Sequence, residues 1–238
     1  MENMITCVVP ACNEAGHLEV LISDITSIAE ITQIVICEGG SSDDTWEIAK
    51  KIQEIYPTKV NVLRQTGKGK FNAVLEGSEL ANEDYIMIWD ADATVSLKSN
   101  QKLINQINKS NLFVMGNRLK GSKERNALKF LNAIGNYFFA ILWSPILRFK
   151  VMDLLCGSKI FPKALLSNLS NDIKKVDTYG DLTLIFAARE SSLEIISIPV
   201  QYLARSYGTS NMLRWKTGKQ FLLITMKSYK KFILNSFE

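Results

Sequence analysis

The sequence is poor in the residues that build zinc sites and thiol chemistry. Its 238 residues include one histidine, His17, and four cysteines that form no CxxC pair. A zinc site made of cysteine and histidine ligands is therefore not expected. Cys7 and Cys37 lie in apolar runs, which predicts buried, reduced thiols. We expect His17 near the start of a helix, without a chemical role.

The chain also lacks a strong charge imbalance. Its net charge is +4, with 22% charged and 47% hydrophobic residues, which is typical of a folded protein rather than a disordered one. No nucleic-acid-binding motif is present, so nucleic acid is not expected as a partner. Met1 and Glu2 lead almost directly into the apolar run ITCVVP. We therefore expect no signal peptide and a cytoplasmic location.

Short β-branched runs alternate with helical stretches along the first half. Strands are predicted at 5–10, 33–38, 59–64, 85–90 and 112–118, with helices near 16–29, 44–55 and 70–80. Near-continuous apolar strands in this alternation predict an α/β fold, with a Rossmann-like, mostly parallel central sheet flanked by helices.

The second half is less regular. It predicts a long apolar helix at 126–150, strands at 157–161 and 193–200, a helix at 179–189 and a basic helix at the C-terminus. We expect one domain over residues 1–210 and a helical extension over 211–238.

Polar residues gather where three predicted strands end. They are Pro10, Ala11, Asn13 and Glu14 after the first strand, Glu38, Gly40 and Ser41 after the second, and Asp90, Ala91 and Asp92 after the fourth. Ligands of open parallel sheets bind at the carboxyl ends of the strands. The three turns therefore predict one site for a nucleobase, phosphates and a metal.

Asp90 and Asp92 are the predicted metal ligands. Two carboxylates one residue apart, just after a buried strand, provide the oxygen ligands that Mg²⁺ and Mn²⁺ prefer. A solvated turn is the alternative for this pair. Glu38 is predicted to accept hydrogen bonds from a nucleobase, with a plain turn carboxylate as the alternative.

The stretch Gly67-Lys68-Gly69-Lys70 lacks the glycine spacing of a P-loop, because Val62 stands where a glycine is required. Backbone N–H groups at this helix start, together with Lys68, are still suited to face an anion.

These segments resemble the family 2 glycosyltransferases of GT-A fold. VVPACNEAG, CEGGSSDDT, GKGKFNAVLEG and WDADAT resemble the nucleotide-binding, base-binding, Gly-Lys-Gly and metal motifs of that family. GNRLKGS, NAIGNYFF, DLLCGSKIF, YGDLTLIFAAR and IPVQYLARSYGTSNM resemble, in the same order, segments of the bacterial branch related to polyprenyl-phosphate sugar synthases. The base-binding turn departs from the family, where two consecutive acids are common, because Gly39 follows Glu38. The identity of the base therefore stays open.

The resemblance implies an inverting, metal-dependent hexosyl-type transferase that uses a nucleoside-diphosphate sugar and Mg²⁺ or Mn²⁺. Asp92 and Asp181 would be catalytic, with Asp181 as general base toward a hydroxyl acceptor and as an orienting group toward a phosphate. Arg205 would bind the donor phosphates and Arg118 the acceptor. Helix capping is the alternative for Asp181, and surface solvation for the two arginines.

The acceptor is expected to be a polyprenyl phosphate or another membrane-associated molecule. A sugar hydroxyl of a growing glycan, and an inactive nucleotide-binding protein, are the alternatives. The charge-free run 130–147 and the basic helix 212–233 predict peripheral attachment to the inner face of the cell membrane. Packing of both helices into the core is the alternative, and Pro145 argues against a membrane span.

Overall fold

The computed structural model describes residues 4–107, 111–124, 130–169, 177–208 and 214–234. The strands are Ile5–Ala11 (β1), Ile31–Glu38 (β2), Val60–Arg64 (β3), Tyr85–Ile88 (β4), Leu112–Asn117 (β5), Lys159–Pro162 (β6) and Glu194–Pro199 (β7). The α-helices are Ala15–Thr26 (α1), Thr45–Ile55 (α2), Lys70–Glu79 (α3), Leu97–Ile104 (α4), Phe130–Leu147 (α5), Asp181–Glu190 (α6) and Arg214–Phe232 (α7). A 3₁₀ helix, Lys163–Asn168, follows β6.

The seven strands form one sheet in the order β3-β2-β1-β4-β6-β5-β7. The pairs β1–β2, β2–β3, β1–β4 and β5–β7 are parallel, which confirms the predicted α/β class with a mostly parallel sheet. Among the described strands, the pairs β4–β6 and β5–β6 are antiparallel. In this register Lys159, the first residue of β6, lies opposite Ile88, the last residue of β4. The start of β6 therefore lies at the edge where β4 ends.

Alternate residues of the central strands feed two apolar cores, one on each face of the sheet. Val8 and Val35 belong to the core that contains side chains of α3, α5, α6 and α7. Cys7 and Ile34 belong to the other core, with side chains of α1, α2 and α4. Burial on both faces explains why these strands have continuous apolar sequences. Cys7 and Cys37 are buried and reduced, as expected.

Helices α5 and α7 pack on each other and on the first of these cores. The rings of Phe139 and Phe221 meet edge to face at 5.6 Å, and the Trp143 Nε1–H donates to Thr225 Oγ1 at 2.9 Å. The described part of α7 therefore contributes to the core of the domain. None of the described helices has the length and apolar character needed to cross a membrane. Residues 126–129, 209–213 and 235–238 lie outside the described residues, so the boundary at 210/211 stays a prediction.

A buried ion pair ties the end of β5 to α5 and to the segment before β6. Arg118 donates from Nε and Nη2 to Asp153 at 2.8 and 2.9 Å, and Asn136 of α5 donates to the same carboxylate at 2.5 Å. Burial by itself raises the pKa of Asp153, but the Arg118 guanidinium outweighs burial and lowers this pKa to about 2. Asp153 therefore contributes stability above the unfolded pKa of about 4, and this contribution is lost as the pH falls through about 2.

We predict that Asp153→Asn lowers the free energy of unfolding at pH 7 by about 3 kcal/mol, because Arg118 keeps its burial and loses its charge partner. The difference from the wild type should shrink by about 2 kcal/mol between pH 5 and pH 2, because over this range the unfolded state binds a proton at Asp153 that the native state does not yet bind. Urea unfolding across this range measures both values. Asp24→Asn, an exposed change on α1, is the control and should have little effect. A pH-independent difference would contradict the assignment.

Candidate active site

The carboxyl ends of β1, β2 and β4 lie side by side at one edge of the sheet, as the sequence predicted. Register pairs Pro10 with Cys37 and Ala11 with Glu38, and it places Val8 beside Ile88. The start of α3, the start of β6 and the start of α6 supply further side chains at this edge. The three predicted turns therefore belong to one surface.

The turns after β1 and β2 are linked by direct hydrogen bonds. The backbone N–H of Asn13 donates to Ser41 Oγ at 2.9 Å, and Asn13 Oδ1 accepts from the backbone N–H of Ser42 at 2.8 Å. Gly39 N–H donates to the carbonyl of Ala11 at 2.8 Å. Asn13 has φ 58°, a left-handed conformation that asparagine tolerates well. These contacts fix the two turns relative to each other.

Glu38 is fully buried at the end of β2. Its Oε1 accepts a hydrogen bond from the backbone N–H of Ser41, and its Oε2 pairs with Arg64 Nε at 3.1 Å. The Arg64 guanidinium lies over the Trp46 ring, 4.4 Å from its centroid. Glu38 thus shapes the turn and holds an exposed cation, and its predicted contact with a nucleobase stays a prediction.

Asp92 and Glu14 share one arginine. Arg205 donates from Nη2 to Asp92 Oδ2 and from Nη1 to Glu14 Oε1, both at 2.9 Å. Asp92 Oδ1 accepts from the hydroxyl of Thr94 at 2.8 Å. Burial raises the pKa of Glu14, and the hydrogen bond from His17 and the charge of Arg205 only partly oppose it. The structure therefore brings together the three groups that the sequence placed on three separate segments.

Asp90 is paired with Lys70, the first residue of α3, at 2.5 Å. Burial raises the pKa of Asp90, but the Lys70 ammonium outweighs it and holds the pKa below its usual value. Burial likewise lowers the pKa of Lys70, and Asp90 and Asp181 raise it above its usual range. Both groups are therefore charged at neutral pH. Gly157 leaves room for the Asp90 carboxylate beside it, because a Cβ at this position would lie 1.8 Å from Asp90 Oδ2.

Asp181 begins α6 and is paired with Lys159 at 2.5 Å. Lys159 is 1% exposed, and its ammonium also donates to the carbonyl of Cys156. Asp177 lies nearby and accepts from the backbone N–H and the hydroxyl of Thr183. Burial raises the pKa of Asp177, and the negative charge of Asp181 raises it further. Asp177 thus caps the start of α6, whereas the Asp181 carboxylate is directed to Lys159.

The predicted anion-binding residues differ in their surroundings. Lys68 is exposed, while its neighbour Lys70 is the lysine that reaches the carboxylates. The Arg118 guanidinium is engaged by Asp153, and Tyr202 lies beneath it at 5.3 Å from the ring centroid. Its charge still lowers the pKa of Asp90, which places it near the site. The acceptor role of Arg118 stays a prediction.

Sequence reasoning did not predict the contacts of Lys70, Lys159 and His17 at this edge. A signal existed for Lys159, which is a charged residue directly followed by the apolar pair Ile160 and Phe161 in a predicted strand. Lys70 and Lys68 share one motif, and they differ in that Lys70 is the first residue of α3 whereas Lys68 precedes the helix. His17 lies in α1, where its Nδ1 is 3.0 Å from Glu14 Oε2 and its Nε2 is 2.8 Å from Ser206 Oγ.

The donor set at this edge fits a hard divalent cation. Asp90 is ionised, and its side chain is 33% exposed beside Asp92, so two carboxylates can be reached from solvent. Among the described residues, no cluster of three or more His, Cys, Asp or Glu side chains is arranged to hold a metal. A Mg²⁺ or Mn²⁺ ion here would need ligands from a substrate, which is usual where phosphates complete the coordination shell.

Two proteins of known activity are similar to this chain over most of its length. Over 94% of the chain, the sequence is 24% identical to a UDP-N-acetylglucosamine–dolichyl-phosphate N-acetylglucosaminyltransferase from Methanococcus voltae, and the match covers 97% of that protein. It is 26% identical to a dolichyl-phosphate hexose transferase from Haloferax volcanii, over 82% of the chain and 80% of that protein.

A similar fold occurs in glucosyl-3-phosphoglycerate synthase from Mycobacterium tuberculosis, solved in complex with Mn²⁺, uridine diphosphate and glucosyl-3-phosphoglycerate. The TM-score is 0.69 at 16% identity, over 95% of this chain and 80% of that chain. The GT-A fold expected from the sequence is thereby confirmed. The family described as Glycosyl transferase family 2 matches residues 6–168, which include the turns after β1, β2 and β4. The chain therefore belongs to glycosyl transferase family 2.

Proposed function

We propose that the protein transfers a sugar, with inversion, from a nucleoside-diphosphate sugar to a polyprenyl phosphate of the dolichyl type. The observation that carries this proposal is the match to the Methanococcus voltae transferase over nearly the whole of both chains. The edge of the sheet supports it with the carboxylates of Asp90 and Asp92 paired to the partly buried cations Lys70 and Arg205, groups suited to a diphosphate and its counter-ion.

Asp90 and Asp92 are the residues that would hold Mg²⁺ or Mn²⁺. Such an ion, when bound, stabilises the negative charge that develops on the departing nucleoside diphosphate. Arg205 and Lys70 already lie against these two carboxylates, so both cations are positioned to contact donor phosphates. The linked turns that contain Asn13, Glu38 and Ser41 would receive the nucleobase.

Asp181 and Lys159 would serve the acceptor side. A phosphate acceptor is already anionic and needs no base, so Asp181 would orient groups in the site. Lys159 holds the carboxylate in one position, because a fully buried ammonium keeps its partner close. The second candidate function is transfer to a sugar hydroxyl. A hydroxyl acceptor requires a general base near the site of transfer. The observation that favours this function is the Asp181 carboxylate, which lies at the same edge as Asp90.

Helices α5 and α7 would attach the protein to a membrane surface. Among the described side chains, four apolar ones of α5 are exposed, and so are three of α7: Ile134, Tyr137, Phe138, Ile141, Leu222, Leu223 and Met226. The described exposed lysines of α7 accompany them: Lys219, Lys227, Lys230 and Lys231. Apolar residues beside lysines suit a lipid interface that contains anionic headgroups. Other side chains of the same helices pack in the core, so membrane attachment and core packing are compatible with each other.

A direct test of the proposed function is a panel of nucleoside-diphosphate sugars, assayed with and without Mn²⁺. Release of nucleoside diphosphate should depend on a polyprenyl-phosphate acceptor. Release that occurs only with a glycan acceptor would support the second candidate, and no release with any pair would overturn both.

We predict that donor binding requires a divalent cation and both Asp90 and Asp92. Asp92→Ala and Asp90→Ala should each weaken binding of the nucleoside diphosphate at least tenfold in Mn²⁺, because each removes one charged oxygen ligand. Isothermal calorimetry with and without chelator measures this. Asp84→Asn, an exposed change at the opposite end of β4, should bind normally. Undiminished binding by Asp92→Ala in chelator would exclude the metal role.

We predict that Asp181→Asn separates the two acceptor classes. The change keeps the size of the side chain and removes its basicity. Turnover should fall less than tenfold with a polyprenyl-phosphate acceptor, and roughly 10²–10⁴-fold with a hydroxyl acceptor. Donor binding should be retained in both cases. Glu190→Gln, at the other end of α6, is the control. Near-normal turnover on a hydroxyl acceptor would exclude Asp181 as the base.

We predict that the double substitution Phe138→Ser and Ile141→Ser reduces partition into anionic liposomes roughly tenfold, because two half-exposed apolar side chains are lost from the interface. Binding by the wild type should weaken at higher salt, since the lysine charges are screened. Co-sedimentation measures both effects. Val20→Ser, which changes a 70% exposed residue of α1, is the control. Equal partition by all three proteins would favour core packing alone.

A further inference from the structure

The segment Arg205–Gly208, here called the β7 loop, lies against the first turn of α1. Arg205 pairs with Glu14 and Asp92, and Ser206 Oγ is 2.8 Å from His17 Nε2. The other ring nitrogen of His17 is 3.0 Å from Glu14 Oε2. The single histidine of the sequence therefore contacts both the loop that carries Arg205 and the carboxylate that Arg205 binds.

Tyr207 makes a second set of contacts. Its hydroxyl donates to Asp43 Oδ2 at 3.2 Å, and its ring meets the His17 ring edge to face at a centroid distance of 5.8 Å. The ring also packs directly on Gly16, where an added Cβ would lie 2.5 Å from Tyr207 Cδ2. Only glycine at this position lets the tyrosine approach α1 so closely.

The β7 loop is held by these side-chain contacts and hardly by burial. Ser206, Tyr207 and Gly208 are all exposed. A segment with few buried apolar contacts opens at low cost in free energy. The position of Arg205 at the carboxylates therefore depends on what holds the rest of the loop.

We propose that Gly16 and His17 form a dock for Tyr207 and Ser206, and that this dock positions Arg205 for donor binding. The inference rests on the proposed function, because Arg205 is assigned there to the donor phosphates. His17 is a positioning residue: it acts on the donor through Ser206, Glu14 and Arg205. Loss of the dock should weaken donor binding and leave the chemical step nearly unchanged.

The Gly16→Ala variant separates this role from a structural one. Alanine is a better helix former than glycine, so the thermal midpoint of unfolding should not fall. The added methyl group displaces the Tyr207 ring, so the dissociation constant of the nucleoside diphosphate and the donor KM should rise roughly fivefold. The value of kcat should stay within about twofold. Val20→Ala on the same helix is the control, and it should change none of these values.

Two variants of His17 test the hydrogen bond itself. His17→Phe keeps a ring against Tyr207 and removes both nitrogens, so donor KM should rise roughly fivefold. His17→Gln keeps a polar group for Ser206 and should restore part of the loss. Adding Ser206→Ala to His17→Phe should raise donor KM little further, because each change removes the same hydrogen bond between His17 and Ser206. Additive losses would show that His17 acts without Ser206 and would contradict the dock.

The probes are uridine and guanosine diphosphate with Mn²⁺ for binding, and the sugar donor that the wild type uses for kinetics. Absence of binding and turnover by the wild type would overturn the proposed function. Normal binding and turnover by the wild type, together with unchanged KM in Gly16→Ala and His17→Phe, would overturn the dock alone.

Discussion

The candidate site depends on neutralising carboxylates that are gathered at one edge of the sheet. Asp90 is balanced by Lys70, Asp92 by Arg205 and Asp181 by Lys159. An uncompensated carboxylate in such partly buried surroundings would be costly, so each of these three anions has a cation beside it. The three cations come from α3, from the loop after β7 and from β6. Each of these elements must therefore be in place before the site can form.

The reversed direction of β6 is the feature of the fold that completes this balance. Because β6 runs antiparallel to β4, its first residue lies at the edge where β4 ends. A parallel strand at the same position would begin at the opposite edge, and Lys159 could not reach Asp181. The antiparallel strand thus places the buried Lys159 at this edge from its first residue.

The sequence predicted the positions of the strands and turns better than the strand directions and the partners of the charged side chains. The continuous apolar runs of β1, β2 and β4, and the polar turns after them, carry their own signal, and the structure places them as expected. The direction of β6 carries no such signal, because the apolar pattern of the run GSKIF is compatible with a parallel or an antiparallel strand. The choice of Lys70 over Lys68 depends on the residue at which α3 begins, which is Lys70. The partner of Arg118 is Asp153, 35 positions away, and no local pattern connects the two. Side-chain pairing across the fold is therefore what sequence reasoning could not supply.

Under the proposed function, the balance of charges gives a physical reason for a metal and a nucleoside diphosphate to bind together. A divalent cation alone would face Lys70 and Arg205, which already neutralise Asp90 and Asp92. A diphosphate alone would face the carboxylates of Asp90, Asp92 and Glu14. If both were bound, the positive and negative charges that they add would nearly cancel, and Arg205 and Lys70 would be able to pair with phosphate oxygens without leaving a buried charge unpaired. The dock of the β7 loop on α1 would then keep Arg205 within reach of both partners during this exchange.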